Sequence, residues 1–337
     1  MMSSFEDIVK MAQKYLENNP ILILGSGASV PYGLPSMYDL SNKIKTKLGD
    51  FYKGNEYWDK FCSNLNTFND LEKALQEIQL PKDINDNIIS TVWEYINDSD
   101  IQFFSGLIND SSTYALAKLL KKLLYTHPSH VSIVTTNYDR LAEYAADIAV
   151  SNTFTGFYGN IIKSFDSSHL HNNQRERRVD IWKVHGSLDW FKNSSQQLVS
   201  IPLARSIPNL YIPLIVTPGV QKYQETHNEP YRTVISRADE CISRASCYLC
   251  IGYGFNDEHI QPKLITQIQQ RNIPIVIITR KLSLKGREIL SISKSTKYIV
   301  FEEGANNVTN VTDAYGKTEI VGEYWKLNNF ITMWFGN

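Results

Sequence analysis

The sequence has almost no net charge, few cysteines and no long apolar run. Its 337 residues include 34 Lys and Arg against 35 Asp and Glu, which gives a formal net charge of −1. So small a charge gives no electrostatic reason to expect binding to nucleic acid or to an anionic membrane surface. No apolar run approaches the roughly 20 residues needed to cross a bilayer, and the N-terminal residues lack the basic and apolar regions of a signal peptide. We therefore expect a protein that binds neither membranes nor, directly, nucleic acids.

The four cysteines are too few and too irregularly spaced to indicate a disulfide framework, which favours a reducing compartment and a cytoplasmic location. Cys247 and Cys250 have the spacing of a zinc-binding pair, but they fall inside a predicted buried strand, and the sequence has no second pair to complete a tetrahedral site. His169 and His171 are also close in sequence, but no third ligand can be assigned to them. The sequence therefore predicts no metal site.

What the sequence does contain is an alternation of short apolar runs with amphipathic helical segments. The alternation is clearest in the last third, where Cys247–Ile251, Ile273–Thr279 and Tyr298–Val300 are predicted strands separated by helices. Strands that alternate with helices in this way form parallel sheets covered on both sides. The sequence therefore predicts an α/β fold with a Rossmann-like parallel sheet and helices on both faces.

Two stretches interrupt this alternation. From about residue 49 to 126 the pattern is helical, with many aromatic residues and no strand, which predicts a helical insertion packed beside the sheet. Residues 152–180 are polar and predict a surface excursion or a small subdomain. We expect one domain over residues 1–300 that contains both interruptions, and a C-terminal extension over 301–337 that serves for assembly.

The first predicted strand, Ile21–Leu24, runs into the turn Gly25-Ser-Gly-Ala-Ser29. Four consecutive aliphatic residues are typical of a strand buried on both faces of a parallel sheet. The two glycines allow unusual backbone angles and close approach of a ligand, and a helix that opens after the turn would favour an anion such as a pyrophosphate. The dinucleotide fingerprint is incomplete, because Val30 stands where its third glycine is expected. The turn alone is compatible with a ligand cradle or with a plain strand-to-helix turn.

Distinctive residues follow five of the predicted strands. In an open parallel sheet, ligands bind at the carboxyl ends of the strands, so residues at several of these ends would meet in one site. The five segments are Gly25–Ser29, Thr135–Asp139, His185–Ser187, Thr217–Gly219 and Gly252–Asp257. Their clustering predicts a functional site at this edge of the sheet.

In this order, the segments resemble the sirtuin family, and within it the bacterial sirtuin-like branch of NAD hydrolases associated with phage defence. Gly25–Ser29 and Gly33-Leu-Pro35 are similar to the family's glycine turn and Gly-Ile-Pro loop. Thr135–Asp139 is similar to the segment that carries the family's active-site Asn and Asp. Lys183-Val-His185-Gly-Ser187 is similar to its catalytic His-Gly segment, and Gly252–Asp257 is similar to the last cofactor loop of this branch.

The resemblance implies an enzyme that binds NAD as its substrate. Asn137 would orient the ribose or the attacking water, and His185 would transfer a proton or bind ribose hydroxyls. Asp139 would assist them, or would only cap the helix that follows it. The remaining implied residues contact the dinucleotide and are Gly25, Ser26, Gly27, Ala28, Ser29, Pro35, Thr136, Gly186, Ser187, Gly252, Tyr253 and Asp257, of which Ser187 would reach a phosphate and Asp257 a ribose hydroxyl.

Two departures from the deacylating sirtuins favour hydrolysis of NAD to nicotinamide and ADP-ribose. Those enzymes have two Cys-x-x-Cys zinc pairs, whereas this sequence has the one spacing Cys247–Cys250, and Ser36-Met-Tyr38 replaces their Asp-Phe-Arg segment. We therefore expect NAD as substrate and no zinc. A module that senses NAD or ADP-ribose without turnover, and a protein deacylase, are the alternatives. Lys222 follows a predicted strand end and has no assigned role.

The resemblance also implies a biological setting. Enzymes of this branch act as gated antiviral effectors that deplete NAD, so we expect a homo-oligomer with an activating partner, for example an ATPase translocase. Such a motor would be a separate chain, because this sequence contains no Walker A motif.

Overall fold

The computed structural model describes residues 4–68, 71–125, 129–166, 177–216, 227–257, 259–292 and 296–336. The described helices are α1 (Phe5–Tyr15), α2 (Met37–Leu48), α3 (Glu56–Phe68), α4 (Leu71–Gln76), α5 (Lys82–Asn109), α6 (Ala115–Leu124), α7 (Leu141–Ile148), α8 (Tyr231–Arg244), α9 (Gln261–Arg271), α10 (Leu284–Ile292) and α11 (Leu327–Phe335). The described strands are β1 (Ile21–Leu24), β2 (His130–Thr135), β3 (Asn152–Phe154), β4 (Phe157–Tyr158), β5 (Lys163–Phe165), β6 (Arg178–Lys183), β7 (Gly186–Lys192), β8 (Leu198–Ser200), β9 (Ile212–Ile215), β10 (Tyr248–Ile251), β11 (Ile275–Thr279), β12 (Tyr298–Glu303), β13 (Val308–Asp313) and β14 (Gly316–Val321).

A nine-stranded sheet forms the centre of the fold, in the order β14-β13-β12-β11-β10-β1-β2-β6-β3. The strands from β12 to β3 in this order pair in parallel, and β13 and β14 continue the sheet as antiparallel strands. The chain runs from β1 first to one side of the sheet and later to the other. The gap between the ends of β1 and β10 is therefore a topological switch point, where ligands bind in open α/β sheets. The predicted α/β fold class is confirmed.

The sheet has a hydrophobic core on each face, because side chains alternate along its strands. In β1, Leu22 and Leu24 belong to one core and Ile23 to the other. The first core contains residues of α1 to α7 and α11, and the second contains residues of α8, α9 and α10. Helices therefore cover both faces, and the described part of the helical stretch after residue 49 packs on the first face. None of the described helices combines the length and apolar character of a bilayer-spanning segment.

Local sequence explains where the first two helices begin. Ser4 accepts a hydrogen bond from the backbone N–H of Asp7, whose carboxylate accepts one from the N–H of Ser4. Ser36 and Asp39 form the same reciprocal capping box at the start of α2. Each box satisfies donors that the first helical turn leaves without partners.

A second sheet of five strands, in the order β4-β5-β8-β7-β9, was not predicted. Its pairs are antiparallel, and only two residues separate the end of β6 from the start of β7. The predicted strand over 210–216 is β9, which belongs to this small sheet and not to the parallel one. Thr217–Gly219 therefore does not follow a strand of the parallel sheet, and these three residues and Lys222 lie outside the described residues. The described part of 152–180 contributes strands to both sheets.

The C-terminal segment continues the main sheet. The domain boundary predicted near residue 300 falls inside β12, and β13 and β14 extend the sheet beyond it. The aromatic residues of α11 pack inward, since Phe330 and Trp334 are buried in the first core beside residues of α1 and α6. A role of this segment in assembly stays a prediction.

Two neighbouring strand ends touch through backbone atoms at glycines. The N–H of Gly27 donates to the carbonyl oxygen of Gly252 at 3.1 Å, and a Cβ built on Gly252 would lie 2.2 Å from the carbonyl carbon of Gly27. Gly252 also has a φ of +58°, in the left-handed region that favours glycine. The glycines of the first turn therefore serve, at least in part, to let the ends of β1 and β10 meet.

We expect Gly252→Ala to lower the free energy of unfolding by about 2–4 kcal/mol, because a clash with backbone adds to the cost of the left-handed conformation. Gly54 provides the control: its φ is +81°, but no atom lies within 4 Å of a Cβ built on it. Gly54→Ala should cost about 1 kcal/mol. Urea unfolding of both variants measures the difference, and equal losses would contradict the close-approach explanation.

Candidate active site

A cleft lies at the carboxyl edge of the parallel sheet, at the switch point between β1 and β10. The segments that follow β1, β2, β6 and β10 reach it, together with α2, α4 and α5. The residues that line it are Gly25, Ser26, Ser29, Leu34, Pro35, Met37, Leu40, Glu72, Ile96, Thr136, Asn137, Tyr138, Asp139, His185, Tyr253, Gly254, Asn256 and Asp257.

The side chain of Asn137 is held by two hydrogen bonds from its amide nitrogen. Nδ2 donates to the carbonyl oxygen of Gly25 and to Oγ of Ser29, both at 2.9 Å. Because a backbone carbonyl can only accept, the orientation of the amide is fixed by its partner. Both N–H groups are used in this way, and Oδ1 has no hydrogen-bond partner among the described residues. Asn137 lines the cleft, so this oxygen is the part of its amide left to accept from a ligand.

Asp139 continues this hydrogen-bond chain. Its Oδ2 accepts from Oγ of Ser29 at 2.7 Å, and its Oδ1 accepts from the N–H of Leu141 at 3.2 Å at the start of α7. The two interpretations that the sequence left open, a site residue and a helix cap, are therefore both compatible with the geometry. Burial raises the pKa of Asp139 to about 6, against the lowering effect of the nearby Lys183.

His185 lies directly against Asp257. The Nε2 atom of His185 is 2.7 Å from Oδ2 of Asp257, an ion-pair distance, although the ring is not turned for a regular hydrogen bond. The ring of His259 stands edge-on to that of His185, with 5.8 Å between centroids. The sequence did not predict a place for His259 near the site. Asp257 therefore faces His185 and does not present a free carboxylate to a ribose.

Tyr253 brings a hydroxyl to the same cleft. Its side chain is buried and lines the cleft, and its hydroxyl has no hydrogen-bond partner among the described residues. Burial, reinforced by the carboxylate of Asp257, raises the pKa of Tyr253 well above its usual value. The hydroxyl is therefore a neutral donor and acceptor that a bound ligand could satisfy.

The glycine turn uses most of its backbone N–H groups within the protein, and its contact with a phosphate stays a prediction. The residues after β1 form two short 3₁₀ turns, Ser26–Ala28 and Val30–Tyr32, and the next α-helix begins only at Met37. The backbone N–H groups of four turn residues already donate to carbonyl oxygens within the protein, and these residues are Gly25, Gly27, Ala28 and Ser29. The hydroxyl of Ser29 accepts from Nδ2 of Asn137 and donates to Oδ2 of Asp139.

The structure brings together most, but not all, of the residues expected to form the site. Asn137, Asp139 and His185 all line the cleft, and so do Gly25, Ser26, Ser29, Pro35, Thr136, Tyr253 and Asp257. Five others are not among its lining residues: Gly27, Ala28, Gly186, Ser187 and Gly252. Ser187 is buried, and its Oγ accepts from the N–H of Asp189 at 3.4 Å. Gly186 pairs with Ile215, where a φ of +90° and the carbonyl of Leu214 require glycine.

Eight lining residues were not predicted: Leu34, Met37, Leu40, Glu72, Ile96, Tyr138, Gly254 and Asn256. Leu34, Tyr138, Gly254 and Asn256 lie inside or beside segments that the sequence singled out. Glu72 and Ile96 lie in the helical insertion, where no sequence motif indicated a functional residue. Only the packing of that insertion over the sheet places them at the cleft.

A buried arginine fixes the segment that carries Asn137 and Asp139. The guanidinium of Arg140 donates to Asp100 at 2.9 Å, to Asp189 at 2.8 Å and to Asn97 at 2.7 Å. Its backbone N–H also donates to Asp100, at 2.7 Å. These partners lie on α5 and β7, so one side chain joins the insertion, the small sheet and the residues that follow β2.

Lys183 also contacts the segment that carries Asn137 and Asp139. Its ammonium group is fully buried, donates to the backbone carbonyl of Asp139, and lies 3.0 Å from a carboxylate oxygen of Glu143. The charges of Lys183 and Glu143 therefore compensate each other, and the backbone at Asp139 is held against the end of β6.

The two cysteines with zinc-pair spacing do not converge. Cys247 lies in the core on one face of the sheet and Cys250 in the core on the other. Across the part of the chain that the structure describes, no three His, Cys, Asp or Glu side chains form a group that could hold a metal ion. His169 and His171 lie outside the described residues.

Comparison with known proteins gives one family match. Residues 131–281 match the model of a family described as the SIR2-like domain, and this range contains Asn137, His185 and Asp257. Solved structures of Sir2 proteins are similar to this chain at low identity. A Sir2 homologue in complex with NAD is 15% identical, with 88% of this chain and 87% of that chain covered and a TM-score of 0.43.

Two further solved structures give the same level of similarity. A Sir2 enzyme studied for its mechanism and regulation is 13% identical, with coverages of 86% and 90% and a TM-score of 0.42. A mutant Sir2 homologue in complex with ADP-ribose is 14% identical, with coverages of 84% and 93% and a TM-score of 0.43. No curated protein matches the chain.

The raised pKa of Asp139 predicts a pH-dependent stability. Below its ordinary value of 3.8 the carboxyl is protonated in both folded and unfolded chains, whereas above about 6 the folded chain must hold a buried charge. The contribution of Asp139 to stability should therefore fall as pH rises through this range, by about 3 kcal/mol in all and by about 2 kcal/mol between pH 4.5 and 7. Urea unfolding of the wild type and Asp139→Asn at pH 4.5 and 7 measures this. A stability difference that is the same at both pH values would contradict it.

Proposed function

We propose that this chain, which carries a SIR2-like domain over residues 131–281, is an NAD+ glycohydrolase that releases nicotinamide and ADP-ribose. The observation that carries the proposal is the fixed amide of Asn137, a residue that lines the same cleft as His185 at the switch point of the sheet. The NAD- and ADP-ribose-bound Sir2 structures concern other proteins, and they make NAD a reasonable first substrate to test.

Hydrolysis of NAD+ does not require a covalent bond between the protein and the substrate. Water replaces nicotinamide at C1′ of the ribose, and the bond from C1′ to the pyridinium nitrogen breaks with its electron pair leaving on nicotinamide. Charge builds up on the ribose as an oxocarbenium-like state, which is stabilised by oriented dipoles and carboxylates. Oδ1 of Asn137 is suited to accept a hydrogen bond from the attacking water or a ribose hydroxyl, and the imidazole of His185 is suited to take a proton.

The charge of the cleft supports a cationic reacting group. The lining residues that the structure describes include the carboxylates Glu72, Asp139 and Asp257 but no lysine or arginine. Negative groups around a partly desolvated cleft favour the positively charged nicotinamide ribose and its transition state. This part of the cleft therefore suits the nicotinamide end of the dinucleotide better than the pyrophosphate.

The biological role follows as a proposal from the resemblance to defence NAD hydrolases. An unregulated NAD hydrolase would harm its own cell, so we propose a cytoplasmic effector whose activity is gated by assembly with further copies or with a separate partner, such as an ATPase translocase. The dinucleotide contacts of Pro35, Thr136 and Tyr253 belong to the same proposal.

We expect purified protein, alone or with its activating partner, to release nicotinamide from NAD+, and we expect Asn137→Ala and His185→Ala each to lower the rate at least 100-fold. Chromatography of the products measures the release. His130→Ala is the matched control, because His130 lies at the opposite end of β2 and pairs with Asp180 at the surface. That variant should keep the wild-type rate.

Undiminished turnover in both cleft variants would refute the proposed site. Tight NAD binding by calorimetry without nicotinamide release in any assembled state would point to a sensor. Formation of O-acetyl-ADP-ribose from an acetyl-lysine peptide would point to a deacylase.

A further inference from the structure

We propose that Asp257 is the positioning partner of His185, and that the two side chains act as one histidine–carboxylate pair. The inference rests on the proposed hydrolysis of NAD, and it gives Asp257 a different role from the ribose contact that the sequence suggested. The pair links the turn between β6 and β7, which carries His185, to the loop that precedes α9, which carries Asp257.

The two carboxylate oxygens of Asp257 have different partners. Its Oδ1 accepts hydrogen bonds from the backbone N–H groups of His259 at 3.0 Å and of Ile260 at 2.9 Å, at the start of α9. Its Oδ2 lies 2.7 Å from Nε2 of His185. The helix start therefore holds the carboxylate in place, and the carboxylate in turn faces the imidazole.

The contact between Asp257 and His185 is largely shielded from water. The side chain of Asp257 is 6% exposed and that of His185 is 11% exposed. A carboxylate removed from water in this way strongly favours a nearby N–H or imidazolium. The ring is not yet aligned for a linear hydrogen bond, which is common in catalytic pairs before substrate binds.

The pair determines which ring nitrogen can act as a base. When Nε2 carries its proton toward Asp257, the neutral ring has its lone pair on Nδ1. Nδ1 has no hydrogen-bond partner among the described residues. A proton taken from the attacking water, or relayed through a ribose hydroxyl, would be held on Nδ1 and its charge stabilised by Asp257.

Among the described residues, other titratable groups also lie around His185. His259 stands edge-on to the ring, and Tyr253 reaches the cleft from the end of β10. Asp139, after β2, and Glu72, on α4, line the same cleft. Of these groups and Asp257, only the Asp257 carboxylate is in ion-pair contact with His185.

The test replaces Asp257 by residues that keep the helix cap but lose the charge. Asn and Ser both accept hydrogen bonds at helix starts, so Asp257→Asn and Asp257→Ser should fold. Asp313→Asn is the matched control, since Asp313 is also buried and its Oδ1 accepts from two backbone N–H groups, those of Tyr315 and Gly316, in a turn outside the cleft.

The first measurement does not depend on activity. The ring N–H resonance of His185 is identified by NMR through its loss in His185→Gln, and its rate of exchange with water is measured in each variant. We expect exchange to be at least about 10-fold faster in Asp257→Asn and Asp257→Ser, since the Nε2–H group loses the buried carboxylate that faces it. Asp313→Asn should leave the exchange rate unchanged.

The second measurement is the rate of nicotinamide release. We expect kcat to fall about 10-fold or more in the Asp257 variants, while KM for NAD+ changes less than about 3-fold, because the pair acts on proton transfer and not on binding. An unchanged exchange rate of the His185 ring N–H, or an unchanged kcat in an active protein, would overturn the pair. Faster exchange in a protein that never releases nicotinamide would refute the proposed function and leave the histidine–carboxylate pair standing.

Discussion

The geometry of the cleft depends on the buried guanidinium of Arg140. It is 2% exposed, and it contacts Asp100, which is fully buried, and Asp189. A buried charge is costly unless its hydrogen bonds are met, so removing one partner would leave the others uncompensated. Because the partners lie on α5 and β7, the arginine ties the helical insertion and the small sheet to the segment after β2. That segment carries both Asn137 and Asp139, so their placement depends on contacts outside the parallel sheet.

The site itself is built by hydrogen bonds between neighbouring strand ends. Gly25, after β1, accepts from Asn137, after β2, and Ser29 lies between Asn137 and Asp139. On the other side, the loop after β10 supplies Asp257 to His185. Each of these candidate site side chains is therefore in contact with a residue from another strand end. Such preorganisation lets a site stabilise charge without rearranging during the reaction.

The sequence predicted the parallel sheet well, because β1, β2, β10 and β11 are apolar runs bounded by clear breaks. It also predicted that Asn137 and His185 lie at the same edge of the sheet, since the carboxyl ends of parallel strands meet at one edge. It could not distinguish β9 from a strand of the parallel sheet, because a four-residue apolar run carries no information about its partners.

Other contacts could not be predicted from the sequence, because they depend on the tertiary structure. Asp100 and Asn97 belong to a polar stretch of a long helix, where buried ion-pair partners look like a solvated face. The glycines at the first turn suggested a phosphate cradle, and Gly25 and Gly27 also admit the backbone of Gly252, a contact that only the tertiary structure reveals. Glu72 reaches the cleft solely through packing of the insertion.

A crystal structure of the Asn137→Ala variant soaked with NAD+ would test the central claim most directly, because the substrate should persist there. We expect the nicotinamide ribose to lie between residue 137 and His185, with C1′ facing the space that Oδ1 of Asn137 occupies in the wild type. A dinucleotide bound elsewhere on the chain, or bound in the cleft with its adenosine end toward His185, would contradict the proposed site of hydrolysis.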